Sequence, residues 1–364
     1  MTHPVAGVSF RSNRRVRLIN SDERSHYNTP MQPFVSSDHD HRLNRRGAVR
    51  RCAVSLLAGA AVMSVPGCVS RSRSETPQLV WGRRGQSNGR FLTPRAITID
   101  RQDQLYIVDK TGRIQVFDPD GRWIRDWRTP DITNGKPTGM TIKPGASPDE
   151  DLLLVADTHY YRMLVYTLRG ERRPELEIGG TSGFGPGEFA FLTDVAVDKA
   201  GCIYIGEYGD ADRIQKFDPD GRFMLSWGAT GREPEQFLRP QGLHIENNLM
   251  WIADSGNHRI QRFDLSGERP ELIDIWGGSG KQPGKLFYPY GIDTLGDGEA
   301  VVCEYGNARI QRFDARGNSL ATWGSPGLEP GQLFDPWGLV VDSRRRIHVL
   351  DSNNHRVQRA AVPT

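Results

Sequence analysis

Four Trp-Gly pairs in this chain are each followed by a Pro at the same distance. The Pro lies 13 residues after the Trp in every copy, and a Phe stands two or three residues before the Pro. Four unrelated loops would not share this spacing. The chain is therefore built of repeats, and each repeat is one supersecondary unit that packs against its neighbours. The four copies begin at Trp81, Trp227, Trp276 and Trp323.

The repeats follow one another at steps of 43 to 55 residues, the size of a four-stranded propeller blade. Within a repeat, Ile114 and Val116 alternate with polar residues, which is typical of a half-buried strand. Asp120-Gly121 and its equivalents are hairpin turn signals between the third and fourth strands, because Gly tolerates positive φ. Counted from the Pro or the residue in its place, the repeats start at Pro94, Pro137, Leu192, Pro240, Pro289 and Pro336.

The two ends of the repeat region complement each other. The last repeat stops at Arg359 after three strands, whereas residues 79–82 have the sequence of a fourth strand without a preceding three. Pairing the two segments would complete a sixth blade and leave no exposed sheet edge. The sequence therefore predicts an all-β fold: a six-bladed β-propeller over residues 77–364, with its ring closed by the N-terminal strand joining the last blade.

Residues 1–68 do not repeat and have the features of a leader. We interpret residues 1–44 as disordered, because they are polar and without period. Arg45-Arg46, which resembles a twin-arginine export signal, precedes the uncharged residues 52–65. This run fits the apolar region of a secretory signal and is too short to span a bilayer. A start at Met31 instead of Met1 would give a leader of more ordinary length.

The end of the leader resembles a lipobox, the sequence in which bacterial lipoproteins carry a lipidated Cys. Residues 65–68 read VPGC, and Cys68 would become the lipidated N-terminus, joined to the propeller by a linker at residues 69–76. This predicts export, and a cell-envelope protein that contacts the membrane through its lipid anchor only. The alternative is a cleaved signal with an incidental Cys, which would leave the protein periplasmic or extracellular.

The charge balance changes sign when the leader is set apart. The whole chain has a formal net charge of +3, but residues 69–364 hold 37 basic and 40 acidic residues. This mildly acidic body lacks the basic excess of nucleic-acid-binding proteins, so no nucleic-acid partner is predicted. Cys202 and Cys303 lie in blades that are not neighbours, too far apart for a disulfide. We expect two buried free thiols.

One motif recurs around the start of the third strand. It reads ADSGNHRIQRF at residues 253–263, CEYGNARIQRF at 303–313 and LDSNNHRVQR at 350–359. The motif resembles the NHL repeat, and residues 77–364 resemble six-bladed NHL propellers of the exported bacterial lipoprotein type. NHL domains also occur in ubiquitin ligases, in RNA-binding regulators and in an amidating lyase. The resemblance therefore implies the fold and leaves the function open.

A carboxylate closes the second strand and an Arg opens the third strand in all six repeats. In four repeats they are five residues apart, so the pair can make charge-assisted hydrogen bonds across a tight loop. Recurrence in every blade favours a structural clamp over a ring of acids around the channel. The pairs are Asp109 and Arg113, Asp157 and Arg162, Glu207 and Arg213, Asp254 and Arg259, Glu304 and Arg309, and Asp351 and Arg356.

The position after each Pro differs from blade to blade and predicts a site. It lies at one mouth of the central channel, on the face that the loops after the second strands also reach. Such a mixture of aromatic, amide and charged groups is typical of a ligand site, and the alternative is a solvated rim. The inner positions are Arg95, Thr138, Asp194, Gln241, Tyr290 and Trp337, of which Asp194 stands two residues after Leu192, the equivalent of the Pro. The loops add Lys110, Tyr160, Tyr208, His258, Tyr305 and His355.

The sequence contains no recognisable catalytic motif, and no metal or other cofactor is predicted. The amidating lyase of the resembled family holds zinc through His residues after the Pro, where this chain has none. His159, His258 and His355 are predicted to lie in solvent-exposed loops. The predicted function is an exported, membrane-tethered module that binds a protein or a small molecule. The alternative is a propeller enzyme, a metal-dependent lyase or a lactonase-like hydrolase, with its site in the channel.

Overall fold

The computed structural model describes residues 76–209, 211–296 and 298–364. The described residues form six four-stranded antiparallel sheets, each one blade of a six-bladed β-propeller. Blades 1 to 3 comprise β2 (Pro94–Ile99), β3 (Leu105–Asp109), β4 (Arg113–Phe117), β5 (Trp123–Arg128); β6 (Gly139–Lys143), β7 (Leu152–Asp157), β8 (Arg162–Thr167), β9 (Ile178–Gly179); and β10 (Phe191–Val197), β11 (Ile203–Tyr208), β12 (Arg213–Phe217), β13 (Phe223–Trp227).

Blades 4 and 5 repeat this order, and blade 6 takes its outer strand from the start of the propeller. They comprise β14 (Pro240–Glu246), β15 (Leu249–Asp254), β16 (Arg259–Asp264), β17 (Glu271–Gly277); β18 (Pro289–Gly296), β19 (Glu299–Glu304), β20 (Arg309–Phe313), β21 (Ser319–Trp323); and β22 (Leu339–Val341), β23 (Arg346–Asp351), β24 (Arg356–Ala361), β1 (Leu79–Trp81). Helical structure in the described ranges is limited to short 3₁₀ turns, and none is a candidate to cross a membrane.

The predicted closure of the ring is confirmed. Strand β1 pairs antiparallel with β24, with Leu79 opposite Arg359 and Trp81 opposite Val357. Trp81 also packs across the seam, with its ring centroid 4.5 Å from that of Phe117 in blade 1. Trp276 makes the same contact with Phe313 of the next blade, at 5.9 Å. The seam therefore has the geometry of an ordinary blade-to-blade junction.

The Trp-Gly pair recurs because both residues have packing roles. Gly228 adopts φ +94°, and a Cβ on it would lie 2.5 Å from the ring of Phe237. The pair therefore turns the chain sharply and packs against the apolar residue ten positions after the Trp. This residue is fully buried in all four copies: Phe91, Phe237, Leu286 and Leu333. Blade 2 lacks the Trp, and Ile178 occupies the equivalent place opposite Met163.

The hydrophobic core is divided into clusters that lie between neighbouring blades. One cluster joins Leu154 and Met163 of blade 2 to Ile205 and Phe217 of blade 3, and similar clusters occupy the other five junctions. No blade has a core of its own, so the ring is one cooperative domain. The two cysteines, Cys202 and Cys303, are buried and unpaired, as predicted.

The carboxylate–Arg clamp forms in five blades and fails in the first. In blade 4, Arg259 Nε lies 2.7 Å from Asp254 Oδ2, and the Arg side chain also donates to the carbonyl oxygens of Arg232, Glu233 and Gln236. The clamp thus ties the Trp-to-Pro loop to the loop after the second strand. In blade 1, Arg113 bonds to the loop carbonyls alone, because only four residues separate it from its carboxylate.

Candidate functional site

The inner strands of all six blades line a central cavity of about 280 Å³. Every inner position singled out in the sequence lies on its wall. These residues are Arg95, Thr138, Asp194, Gln241, Tyr290 and Trp337. Whether they bind a ligand stays a prediction; the structure establishes that they share one cavity.

β-Bulges give several of these side chains their position. The pairing of β2 with β3 skips Arg95, and the pairing of β14 with β15 skips Gln241. In β10 and β18 the bulge holds two residues, so that Asp194 and Tyr290 are also unpaired. A bulge re-aims side chains and interrupts the ladder, and it is common beside functional sites.

Arg95 is a cation without a counter-ion among the described residues. Its Nε is buried without a hydrogen-bond partner, and its guanidinium carbon lies 4.5 Å from the ring centroid of Trp337. Burial, and then the charge of Arg239, lowers the pKa of Arg95 to about 10. The guanidinium is still charged at neutral pH, but in a site that disfavours the charge.

Arg239 is the second guanidinium at this mouth. It lies 4.7 Å from the ring centroid of Tyr208, and its Nε donates to Gln241 Oε1 at 2.9 Å. The residue adopts φ +56°, which is unusual for a side chain other than Gly. Its backbone N–H donates to Asp212 Oδ1 at 2.7 Å, which fixes this turn.

Three aromatic rings lie beside the two guanidinium groups. Tyr290 stacks on Tyr305 with 4.8 Å between ring centroids, and Trp337 stands edge-on to both, at 5.0 and 5.9 Å. Burial, followed by the nearby Asp335, raises the pKa of Tyr305, so its hydroxyl stays neutral. We call Arg95, Tyr208, Arg239, Tyr290, Tyr305 and Trp337 the mouth cluster.

Part of the predicted loop set is out of register. Tyr208 and Tyr305 directly follow the clamp carboxylate of their blades. In blades 2, 4 and 6 that position holds Thr158, Ser255 and Ser352, and the predicted residues Tyr160, His258 and His355 come later in the loop. Thr158, Ser255 and Ser352 are buried. The Oγ1 of Thr158, for example, lies 2.5 Å from that of Thr138.

The prediction that the loop histidines are exposed to solvent is wrong, because all three are half-buried. His258 accepts the backbone N–H of Tyr288 through Nδ1 at 3.1 Å, and His355 accepts that of Thr93 at 3.0 Å. Both therefore hold the Pro-preceding turns. His159 stacks on Phe191 at 4.8 Å.

Sequence reasoning missed Arg239 and Lys136. Both stand directly before the Pro of a repeat, a position that varies as much as the one after it. This variation between blades could have marked the position as part of the site. The residues at this position are Thr93, Lys136, Phe191, Arg239, Tyr288 and Asp335. Four of the six have positive φ, and such strained residues cluster at functional sites.

Asp194 lies deeper in the ring and joins two blades. Its carboxylate accepts the N–H of Leu243 in blade 4 and that of Val195 in its own strand, both at 2.9 Å. Burial raises the pKa of Asp194 to about 7, although both hydrogen bonds lower it. Asp293 likewise accepts the N–H of Val341 at 2.7 Å. These two carboxylates are used by the scaffold.

The donor set within the described ranges does not form a metal centre. No group of three or more His, Cys, Asp or Glu residues there is arranged to hold an ion. His244 lines the cavity, but its Nδ1 lies 3.3 Å from Asp293 Oδ1 and its Nε2 lies 3.0 Å from Thr294 Oγ1. What the mouth cluster offers is charge and aromatic surface.

Comparison with known proteins supports the NHL resemblance. Residues 237–263 and 335–359 match the NHL repeat family. NHL repeat-containing protein 3 of Mus musculus is 28% identical over 221 residues, which cover 57% of this chain and 60% of that protein. Peptidyl-glycine alpha-amidating monooxygenase of the same species is 30% identical over 163 residues, 40% of this chain and 17% of the relative. The chain thus spans less than two thirds of either relative.

A solved structure with a similar fold is virginiamycin B lyase from Staphylococcus aureus. Its TM-score is 0.52, with 11% sequence identity, and the superposition covers 78% of this chain and 99% of that one. At this identity the similarity concerns the fold alone. Together with the strand topology, it confirms the predicted six-bladed propeller of NHL-type repeats.

Proposed function

We propose that the propeller is a binding module with its site at the mouth cluster, exported and tethered to the cell envelope through a lipid on Cys68. The observation that carries the binding role is the asymmetry of the ring. The clamp recurs in five blades, whereas the inner position on the cavity wall holds a different residue in every blade. The requirements of packing repeat around a ring, so a cluster of guanidinium groups and aromatic rings that occurs at one place only favours recognition of a ligand.

A second candidate is an enzyme that acts in the same channel. The similarity to amidating enzymes over 163 residues favours it. In that case the guanidinium groups of the mouth cluster would stabilise negative charge on a bound substrate. Bound metal in the purified fragment of residues 76–364 would favour this alternative over a binding module.

Trp337→Ala and Tyr290→Ala are expected to abolish binding without unfolding the ring. Large aromatic and Arg side chains dominate binding energy, at about 2 kcal/mol or more each on truncation. The immobilised fragment of residues 76–364 would be exposed to an envelope extract of the native host, and the retained molecules identified by mass spectrometry. Trp123→Ala, on an outer strand, is the matched control because its ring is exposed far from the channel. Equal retention by the Trp337 variant and the control would refute the site.

The export proposal rests on the sequence, because Cys68 lies outside the described residues. Mass spectrometry of the mature protein from its native host is expected to find acyl chains on an N-terminal Cys68. Cys68→Ala should release the protein from the membrane fraction. A cytoplasmic protein that retains residues 1–67 would contradict both export and anchoring.

A further inference from the structure

Four cationic side chains gather at the mouth of the channel, where the nearby carboxylates of Asp212 and Asp335 accept hydrogen bonds from Thr230 and Asn353 instead. Arg95, Lys110, Lys136 and Arg239 form no ion pair with any described carboxylate, whereas clamp residues such as Arg259 are paired within 3 Å. Lys136 donates to the carbonyl oxygen of Ile132, and Arg239 donates to an amide. The side chains of Lys136 and Arg239 therefore donate to neutral acceptors, and the Nε of Arg95 has no acceptor.

The four cations are close enough to repel one another. The pKa of Lys110 is lowered by burial and then by Arg95 and Lys136, and the pKa of Arg95 by burial and then by Arg239. A folded chain keeps such a group only at a cost in stability, since like charges and unfilled donors both disfavour it. An anion in the mouth would remove the repulsion and fill the donors at once.

The geometry around Arg95 leaves room for that anion. Trp337 covers one side of its guanidinium at 4.5 Å, and Tyr208 does the same for Arg239 at 4.7 Å. Both arginines are thus held by rings rather than by carboxylates, and a guanidinium held in this way can donate two parallel hydrogen bonds to an oxyanion. Gln241, which also lines the cavity, accepts the Nε–H of Arg239 at 2.9 Å.

We infer that the mouth cluster binds a small ligand that carries a carboxylate, sulfate or phosphate group, with the oxyanion on Arg95 and Arg239 and a planar part against Tyr290, Tyr305 and Trp337. The inference rests on the proposed binding function and narrows its ligand class. Arg95, Tyr290 and Trp337 of this cluster line the cavity of about 280 Å³, a volume at the small end of ligand pockets, so the anion belongs to a small molecule.

Calorimetric titration of the fragment of residues 76–364 with benzoate, phenyl sulfate and phenyl phosphate tests the inference. At least one anion should bind saturably, and their order of affinity identifies the oxyanion. The neutral isostere benzamide should bind at least about tenfold more weakly, which corresponds to about 1.4 kcal/mol. Added salt should weaken the anion and leave benzamide unaffected.

Arg95→Gln is expected to reduce anion affinity at least tenfold, and Arg95→Lys, which keeps the charge, less than that. Arg222→Gln is the matched control, because Arg222 is exposed on the blade 3 hairpin. Melting curves report whether each variant is folded, and the salt dependence of the unmodified protein tests the charge without any substitution. Benzamide binding as tightly as benzoate, or no binding by any of the three anions, would overturn the inference. Either result would leave Trp337-dependent capture, and so the proposed function, standing.

Discussion

Removal of residues 77–84 is expected to prevent the ring from closing. Strand β1 is the outer partner of β24, and Trp81 covers Phe91 and Phe117 of the core. Without it, β24 becomes an exposed edge beside a bare apolar face, which favours aggregation. A fully buried Trp contributes about 3–5 kcal/mol; Trp81 is partly buried, and the pairing of β1 with β24 is lost with it, so the melting temperature should fall by roughly 10 °C or more. Circular dichroism melts of residues 76–364 and 85–364 measure the difference.

Two controls separate loss of the strand from loss of chain length. A synthetic peptide of residues 77–84, added in trans, should restore stability to the shortened fragment in proportion to its concentration. A peptide of the same composition in scrambled order should not. A shortened fragment that melts with the full-length one, without peptide, would show that the ring does not depend on closure by β1.

The fold could be predicted because each repeated residue reports a repeated physical constraint. Gly82 must follow Trp81, since its positive φ and the nearby Phe91 ring exclude a side chain. Closure could be predicted because a fourth strand at one end and a missing strand at the other are complementary. In blade 2, Ile178 takes the place of the Trp opposite Met163. The sequence motif is therefore absent from this blade, although the blade has the same four strands.

The site could be predicted only in part. The inner positions were correct because every inner strand faces the cavity, and in four blades a bulge frees the residue there from the strand ladder. Some loop residues were assigned to the wrong position because the loop between the second and third strands differs in length between blades. Arg213 stands six positions after Glu207, whereas the spacing is five in four other blades. Arg239 was missed since the residue before the Pro was taken as part of the repeat. The absence of a counter-ion for Arg95 is a property of three-dimensional placement, and no sequence pattern reports it.

Arg259→Ala is expected to destabilise the ring by about 3–5 kcal/mol while sparing binding at the mouth. Asp254 is fully buried and would lose its cationic partner, which is the costly way to break a buried ion pair. The remaining donors, Leu238 N–H at 2.8 Å, Asn257 Nδ2 at 2.9 Å and Gln261 Nε2 at 3.1 Å, are neutral. Chemical denaturation measures the free energy of unfolding, and the benzoate titration measures the site.

Blade 1 supplies the matched variant for this prediction. Arg113→Ala removes an equivalent side chain that bonds to the carbonyls of Gln86, Ser87 and Arg90 but pairs with no carboxylate. It should therefore cost less than Arg259→Ala, because no buried charge is left unpaired. If both substitutions lowered the free energy of unfolding equally, the hydrogen bonds to the loop carbonyls, and not the ion pair, would account for the stability that the Arg contributes. A loss of binding at full stability in Arg259→Ala would instead overturn the division of the ring into a repeated scaffold and a unique site.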